Sequence, residues 1–218
     1  GGTPKEMLAR SPEFTYRRLL QAAKLAEKLG AQIMGLGAFT KVVGDAGVTV
    51  ARRSRLPITT GNSYSASGAL WAAADAMRRM GLVHLNKNTK KVAAKTMVIG
   101  ASGSIGSVSA RLLAMSFDEV YLAGRTLKKL DELKASILKE TPQAKVFTTI
   151  DYNDLLGDMD MIVTSTSGAG KEILDITKVK PGCVITDVAR PLDLPPKEVA
   201  KRPDVLVIES GVIELPTE

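Results

Sequence analysis

Short apolar runs alternate with stretches of helical period along the second half of the chain. Strands are predicted near 95–100, 118–123, 145–149, 160–165, 183–187 and 205–209. Between them, helices are predicted near 104–115, 127–140, 151–156, 172–178 and 195–202. In the first of these, Ile105, Val108, Leu112 and Met115 recur at spacings of 3, 4 and 3, which marks one apolar face. Upstream, Phe14 to Leu29 reads as an amphipathic helix with Leu19, Ala22, Ala26 and Leu29 on one side and Gly30 as its stop. A strand is expected over Ala31–Phe39, a short one at Val48-Thr49-Val50, and an extended segment at Pro57–Thr60. A long helix from Ser63 to Met80 carries Ala66, Leu70, Ala73, Met77 and Met80 on one face. Regular alternation of strand and helix with short loops implies an α/β protein with a doubly wound, mostly parallel sheet. The expected organisation is a partial second, smaller α/β domain with a connecting helix (residues 1–80), a polar linker (81–95) and the sheet domain (96–218).

In such a sheet, ligands bind beyond the carboxyl ends of the strands, so those ends hold the chemistry. The strand Lys95–Ile99 runs into Gly100-Ala101-Ser102-Gly103-Ser104-Ile105-Gly106. A glycine turn between strand and helix lets the backbone approach a phosphate, and the helix N-terminus offers unpaired N–H groups. The glycines fall at i, i+3 and i+6, a departure from the commonest dinucleotide fingerprint. The next strand ends in Gly124-Arg125-Thr126, where NAD-preferring Rossmann domains place an acidic residue on the ribose. An arginine and a hydroxyl suit a 2′-phosphate instead, so Arg125 and Thr126 favour NADPH over NADH. Thr164, Ser165 and Thr166 at the end of one later strand, and Asp187 and Val188 at the end of another, complete the expected cofactor set with Gly100, Ser102, Gly103, Ser104, Ile105 and Gly106.

Composition narrows the class. The 218 residues are 44% hydrophobic but only 4% aromatic, which suits tight helix–sheet contacts. One cysteine, Cys183, excludes an intramolecular disulfide, and with a single histidine, His84, no metal site is expected. Cys183 falls in a strand and reads as a core residue. No apolar run reaches the roughly 18–20 residues needed to cross a bilayer, so a soluble, cytoplasmic protein is expected. The opening Gly1-Gly2-Thr3-Pro4 and the ending just after a strand lead us to expect an internal fragment of a longer protein. The net charge of +7 is lopsided. Residues 1–95 carry 16 Lys/Arg against 5 Asp/Glu, and residues 96–218 carry 14 against 18. The first part is therefore expected to face something acidic. Aromatics suited to base stacking are scarce, so no nucleic-acid partner is expected.

The segments Ile33-Met34-Gly35-Leu36-Gly37-Ala38-Phe39-Thr40, Thr59-Thr60-Gly61-Asn62-Ser63-Tyr64, Gly100 to Ser107 and Ser210-Gly211-Val212-Ile213-Glu214 occur in order over most of residues 20–218. With them the chain resembles the long-chain fatty acyl-ACP reductase family and its bacterial shikimate-dehydrogenase-like relatives. The resemblance implies NADPH-dependent reduction of an acyl thioester to an aldehyde, through an acyl-enzyme on a cysteine. In that family the cysteine lies in a helical segment beyond the Gly-Val-Ile-Glu strand, which this chain does not include. The resemblance also makes an acidic acyl carrier protein the expected partner of the basic first part. Asn62, Thr60 and Thr40, near a helix N-terminus and a turn, are expected to position the acyl group, and Lys41 to bind the carrier's phosphopantetheine. Asn62 also reads as a plain helix N-cap. Two alternatives remain open at this point: a shikimate- or quinate-type dehydrogenase using Lys41 with Asp45 at i, i+4, and a non-catalytic pyridine-nucleotide-binding module.

Overall fold

A computed structural model describes residues 4–37, 45, 47–167, 173–211 and 213. The chain divides into two compact units, Gly1–Gly61 and Asn62–Glu218. The long helix expected to connect two domains thus groups with the second unit.

The large unit holds six described strands, β3 (Val92–Ile99), β4 (Phe117–Ala123), β5 (Lys145–Thr149), β6 (Met161–Thr164), β7 (Val184–Asp187) and β8 (Leu206–Glu209), in the order β5-β4-β3-β6-β7-β8. Every neighbouring pair is parallel. This is a Rossmann sheet, and its order reverses between β3 and β6, the place where such sheets bind ligands. Parallel strands need both faces covered, and alternate residues divide accordingly. Val98, Val120, Val146, Met161 and Val184 pack with α4 (Asn62–Arg79), α5 (Ser104–Ser116) and α6 (Leu127–Glu140). Met97, Ile99, Ile162 and Ile185 face a thinner layer built from Leu156, Leu174, Ile176, Val179 and Leu194. The helices expected over 151–156, 172–178 and 195–202 are here reduced to 3₁₀ turns at Asn153–Asp158 and Ile176–Lys178 and to α7 (Pro196–Val199). Single buried anchors, Leu156 and Ile176, hold the two turns down. Arg202 supports this layer by donating to the carbonyls of Ile176, Thr177 and Val179.

The buried face of α5 is only in part the one its large residues mark: Ile105 and Leu112 pack, partly buried, against the core. Gly106, Ser109, Ala110, Leu113 and Ala114 are buried, whereas Met115 is 63% exposed. Close approach is the reason: a Cβ on Gly106 would lie 2.3 Å from the Gly100 carbonyl oxygen, so a side chain does not fit where α5 meets the turn after β3. On α4 the expected face is the buried one, through Ala66, Leu70, Ala73 and Met77. The expected polar linker contains the start of β3 and a turn clamped by Asp118, which accepts from Asn86 Nδ2 and Thr89 Oγ1 at 2.7 Å each.

The small unit contains α1 (Pro4–Ala9), α2 (Pro12–Lys28), α3 (Val48–Arg53) and a parallel pair, β1 (Met34–Leu36) with β2 (Ile58–Thr60). Val48-Thr49-Val50, expected as a strand, opens α3. The Asp45 carboxylate accepts from the Thr49 N–H at 3.0 Å and from its hydroxyl at 2.6 Å, and Val50 is fully buried. A cap and a packing site thus override the β-branched preference for strands. On α2 the buried residues are Thr15, Tyr16 and Ala23, and Leu29, expected inside, is 79% exposed. Tyr16 is drawn in by Asp45, whose N–H donates to the phenol oxygen at 3.2 Å. Among the described residues no helix is long and apolar enough to cross a membrane.

Candidate functional site

At the reversal point of the sheet, β3 ends in a turn that only glycine tolerates. Gly100 has φ +83°, and a Cβ there would lie 2.9 Å from the Ser165 carbonyl oxygen. Its N–H and that of Ala101 both donate to the Ala123 carbonyl, at 2.9 and 3.1 Å, which ties the turn to the end of β4. Gly103 closes the turn by donating to Gly100 O at 2.9 Å and caps α5 with no side chain of its own. The first N–H groups of α5 therefore have neither intrahelical nor side-chain partners, and the positive end of the helix dipole coincides with them.

The turn forms one wall of a cleft of about 580 Å³. Of the residues expected in a cofactor site, Gly100, Ser102, Gly103, Arg125, Thr126, Ser165 and Thr166 line it together. Ser104, Ile105 and Gly106 begin α5 behind that wall. Thr164, Asp187 and Val188 are not brought to the cleft. Thr164 is fully buried, with a hydroxyl that has no partner among the described residues. Asp187 is buried and accepts from the N–H groups of Ala189 and Leu194 at 3.0 and 2.8 Å, so it shapes the loop after β7. Val188 donates its N–H to Thr164 O at 2.9 Å. Of the residues expected to position an acyl group, Thr60 ends β2 in the small unit and Asn62 opens α4, buried, in the large one. Thr40 and Lys41 lie outside the described residues.

Sequence reading missed Lys129, Ile150, Tyr152 and Ile173, all in the cleft lining. Lys129 was findable as a second cation on the first turn of α6, directly after the connection that carries Arg125. Neither the Lys129 ammonium nor the Arg125 guanidinium makes a hydrogen bond or ion pair with any described residue. Thr126, the N-cap of α6, makes no side-chain cap bond either, which leaves its hydroxyl available. Two cations, a hydroxyl and a second helix N-terminus therefore meet at one end of the cleft.

The wall beside the turn is held by Asp193, which the sequence did not single out; a Cβ on Gly100 would lie 3.2 Å from the Thr166 methyl. Its carboxylate accepts from the Thr166 N–H at 2.9 Å and from the Thr166 hydroxyl at 2.5 Å. Burial pushes the Asp193 carboxyl above its ordinary range; the two bonds from Thr166 oppose this, and the Asp187 charge adds to it. Tyr152, whose hydroxyl donates to Ile173 O at 2.6 Å, is likewise pushed up by burial and then by Asp193. Cys183 is fully buried under β7, and burial pushes its thiol up to about 12. It remains a protonated core side chain with no nucleophilic character at neutral pH.

The model of the shikimate / quinate 5-dehydrogenase family matches residues 84–209, more than half of the chain. The chain belongs to this family. It is 31% identical over 208 residues to Aminotransferase PigE of Serratia sp., covering 95% of this chain and 23% of that protein. It is 27% identical over 220 residues to the long-chain acyl-[acyl-carrier-protein] reductase of Synechococcus elongatus, covering 97% of this chain and 60% of that one. The chain thus spans only part of the length of these curated relatives. Among solved structures, the quinate dehydrogenase of Corynebacterium glutamicum in complex with NAD superposes with a TM-score of 0.56 at 14% identity, covering 88% of this chain and 71% of that one. At that identity the likeness speaks for the fold.

Proposed function

We propose that the chain is the NADP(H)-binding portion of a reductase that converts an acyl thioester to an aldehyde. The observation that carries the cofactor reading is the cluster of Arg125, Thr126 and Lys129 at the adenosine-ribose end of a glycine-walled cleft. The parts fit the ligand: a turn that excludes side chains for the pyrophosphate, and two cations without anionic partners among the described residues for a 2′-phosphate. NADPH supplies a hydride when bound. The chain's own residues orient it, with Thr166, fixed by Asp193, forming the wall beside the turn.

Support for the acyl thioester comes from the similarity to the Synechococcus reductase, which runs through both units. The buried Cys183, its thiol pushed up to about 12, does not serve as the acyl-carrying thiol in this reading. In this reading Asn62, Thr60, Thr40 and Lys41 position the acyl group and its arm, and the basic small unit receives an acidic carrier protein. Asp45, the partner that a Lys41–Asp45 proton relay needs, has both carboxylate oxygens engaged by Thr49, which favours the thioester reading over a shikimate-type one.

Calorimetric titration with NADPH and NADH tests the cofactor assignment. Arg125→Ala is expected to weaken NADPH by about 1.5–3 kcal/mol, the scale of hydrogen bonds to charged groups, and to leave NADH nearly unchanged. Equal affinity of the unaltered chain for both dinucleotides overturns it.

A further inference from the structure

A second cleft, of about 490 Å³, lies wholly within the small unit, between α2 and the end of α3. Lys24 and Lys28, one helical turn apart on α2, line one side, and Arg53 and Arg55 line the other. The floor is apolar, from Leu20 and Ala23. The side chains of Lys24, Lys28 and Arg55 make no hydrogen bond or ion pair with any described residue. Arg53 is held by both carboxylate oxygens of Glu13 at 2.9 Å, but both side chains are half exposed, so the pair holds it weakly. Glu27 is the one carboxylate in the lining. Residues 1–61 carry ten Lys/Arg against four Asp/Glu, which concentrates +6 of the chain's net +7 in this unit.

We propose that this cleft binds a phosphomonoester on a small organic ligand, at a site separate from the glycine-walled cleft. Three unengaged cations, a loosely held arginine and the nearby carboxylates leave a surplus of positive charge that a phosphate dianion matches. An arginine fork matches phosphate, because two parallel N–H donors fit two phosphate oxygens. The concave form and size suit a small ligand, since protein partners occupy flatter patches of roughly 800 Å² a side. The apolar floor beside the charges calls for an organic part next to the phosphate, which sets inorganic phosphate apart as a weak binder.

The test is calorimetry on the 218-residue chain with three probes: coenzyme A, its 3′-dephospho form and inorganic phosphate. Coenzyme A is expected to bind at least tenfold more tightly than the other two, and less tightly as salt is raised. The double variant Lys24→Gln/Lys28→Gln is expected to weaken coenzyme A at least tenfold while its melting temperature and NADPH affinity stay unchanged. Arg125→Ala is expected to leave coenzyme A binding intact, so failure of the cofactor assignment and failure of this one are read separately. Equal affinity for all three probes, no binding of coenzyme A at millimolar concentration, or loss of it in Arg125→Ala but not in the lysine variant each overturns the site.

Discussion

The two units are built on opposite terms. In the large unit nearly every strand residue from Met97 to Ile99 and from Met161 to Thr164 is fully buried, and two apolar layers close over the sheet. In the small unit only Tyr16, Ala23, Leu36, Val50 and Leu56 are buried among the described apolar residues, while Leu25, Leu29 and Ile33 are more than half exposed. Its two strands are three residues each. Yet this thin unit holds almost all of the net charge. The difference teaches that the large unit is organised around its interior and the small one around its surface. A change inside the large unit therefore propagates into folding, whereas a change on the small unit alters what the surface attracts.

The strongest challenge to that contrast is Gly106→Ala. Its new methyl would meet the Gly100 carbonyl at 2.3 Å, and backbone on both sides leaves little room to yield. We expect a loss of about 3 kcal/mol in urea unfolding, at the upper end of overpacking costs. An unchanged midpoint would show that α5 moves off the sheet freely.

Alkaline titration sharpens the same point. The Cys183 thiol has an ordinary value of 9.0 and is pushed up to about 12 in the folded chain by burial, with Asp160 adding to it. Below pH 9 the thiol is protonated in both folded and unfolded states, so stability is undiminished there. As pH rises toward 12 the unfolded thiol ionises first and the folded state loses ground. By pH 11 this group alone should remove roughly 3 kcal/mol. Comparing the pH slopes of the unaltered chain and Cys183→Ala isolates the effect. Parallel slopes would place the thiol in contact with solvent.

The smallest effect belongs to the small unit. Glu13→Gln removes the ion pair to Arg53, in which both side chains are half exposed, and should change stability by less than about 1 kcal/mol. A larger loss in the melting transition would mean that the small unit relies on its charges for cohesion.

What sequence conveyed follows the same division. The six sheet strands stand within a few residues of where apolar runs placed them, because a buried parallel strand needs an uninterrupted run. The inward face of α5 was read only in part, through Ile105 and Leu112, because Gly106, Ser109 and Ala110 signal close packing and carry little hydrophobicity. In the small unit, Val48–Val50 was misread because the deciding contact, Asp45 to Thr49, is polar and local to one turn. Within the site, the glycine turn and Arg125 were legible as contiguous motifs. Asp193 was not: it reaches Thr166 across 27 positions of chain, a closure that no local pattern announces.

Arg125, Thr126 and Lys129 lie within five consecutive positions, and all three are exposed. None of them holds the sheet or its layers together. Selection acting on the choice of dinucleotide therefore meets a segment that can drift without eroding the fold, while the glycine turn in the same cleft, locked by backbone contacts, cannot. Descendants of one such chain would be expected to diverge in which cofactor they prefer long before they diverge in where they hold it.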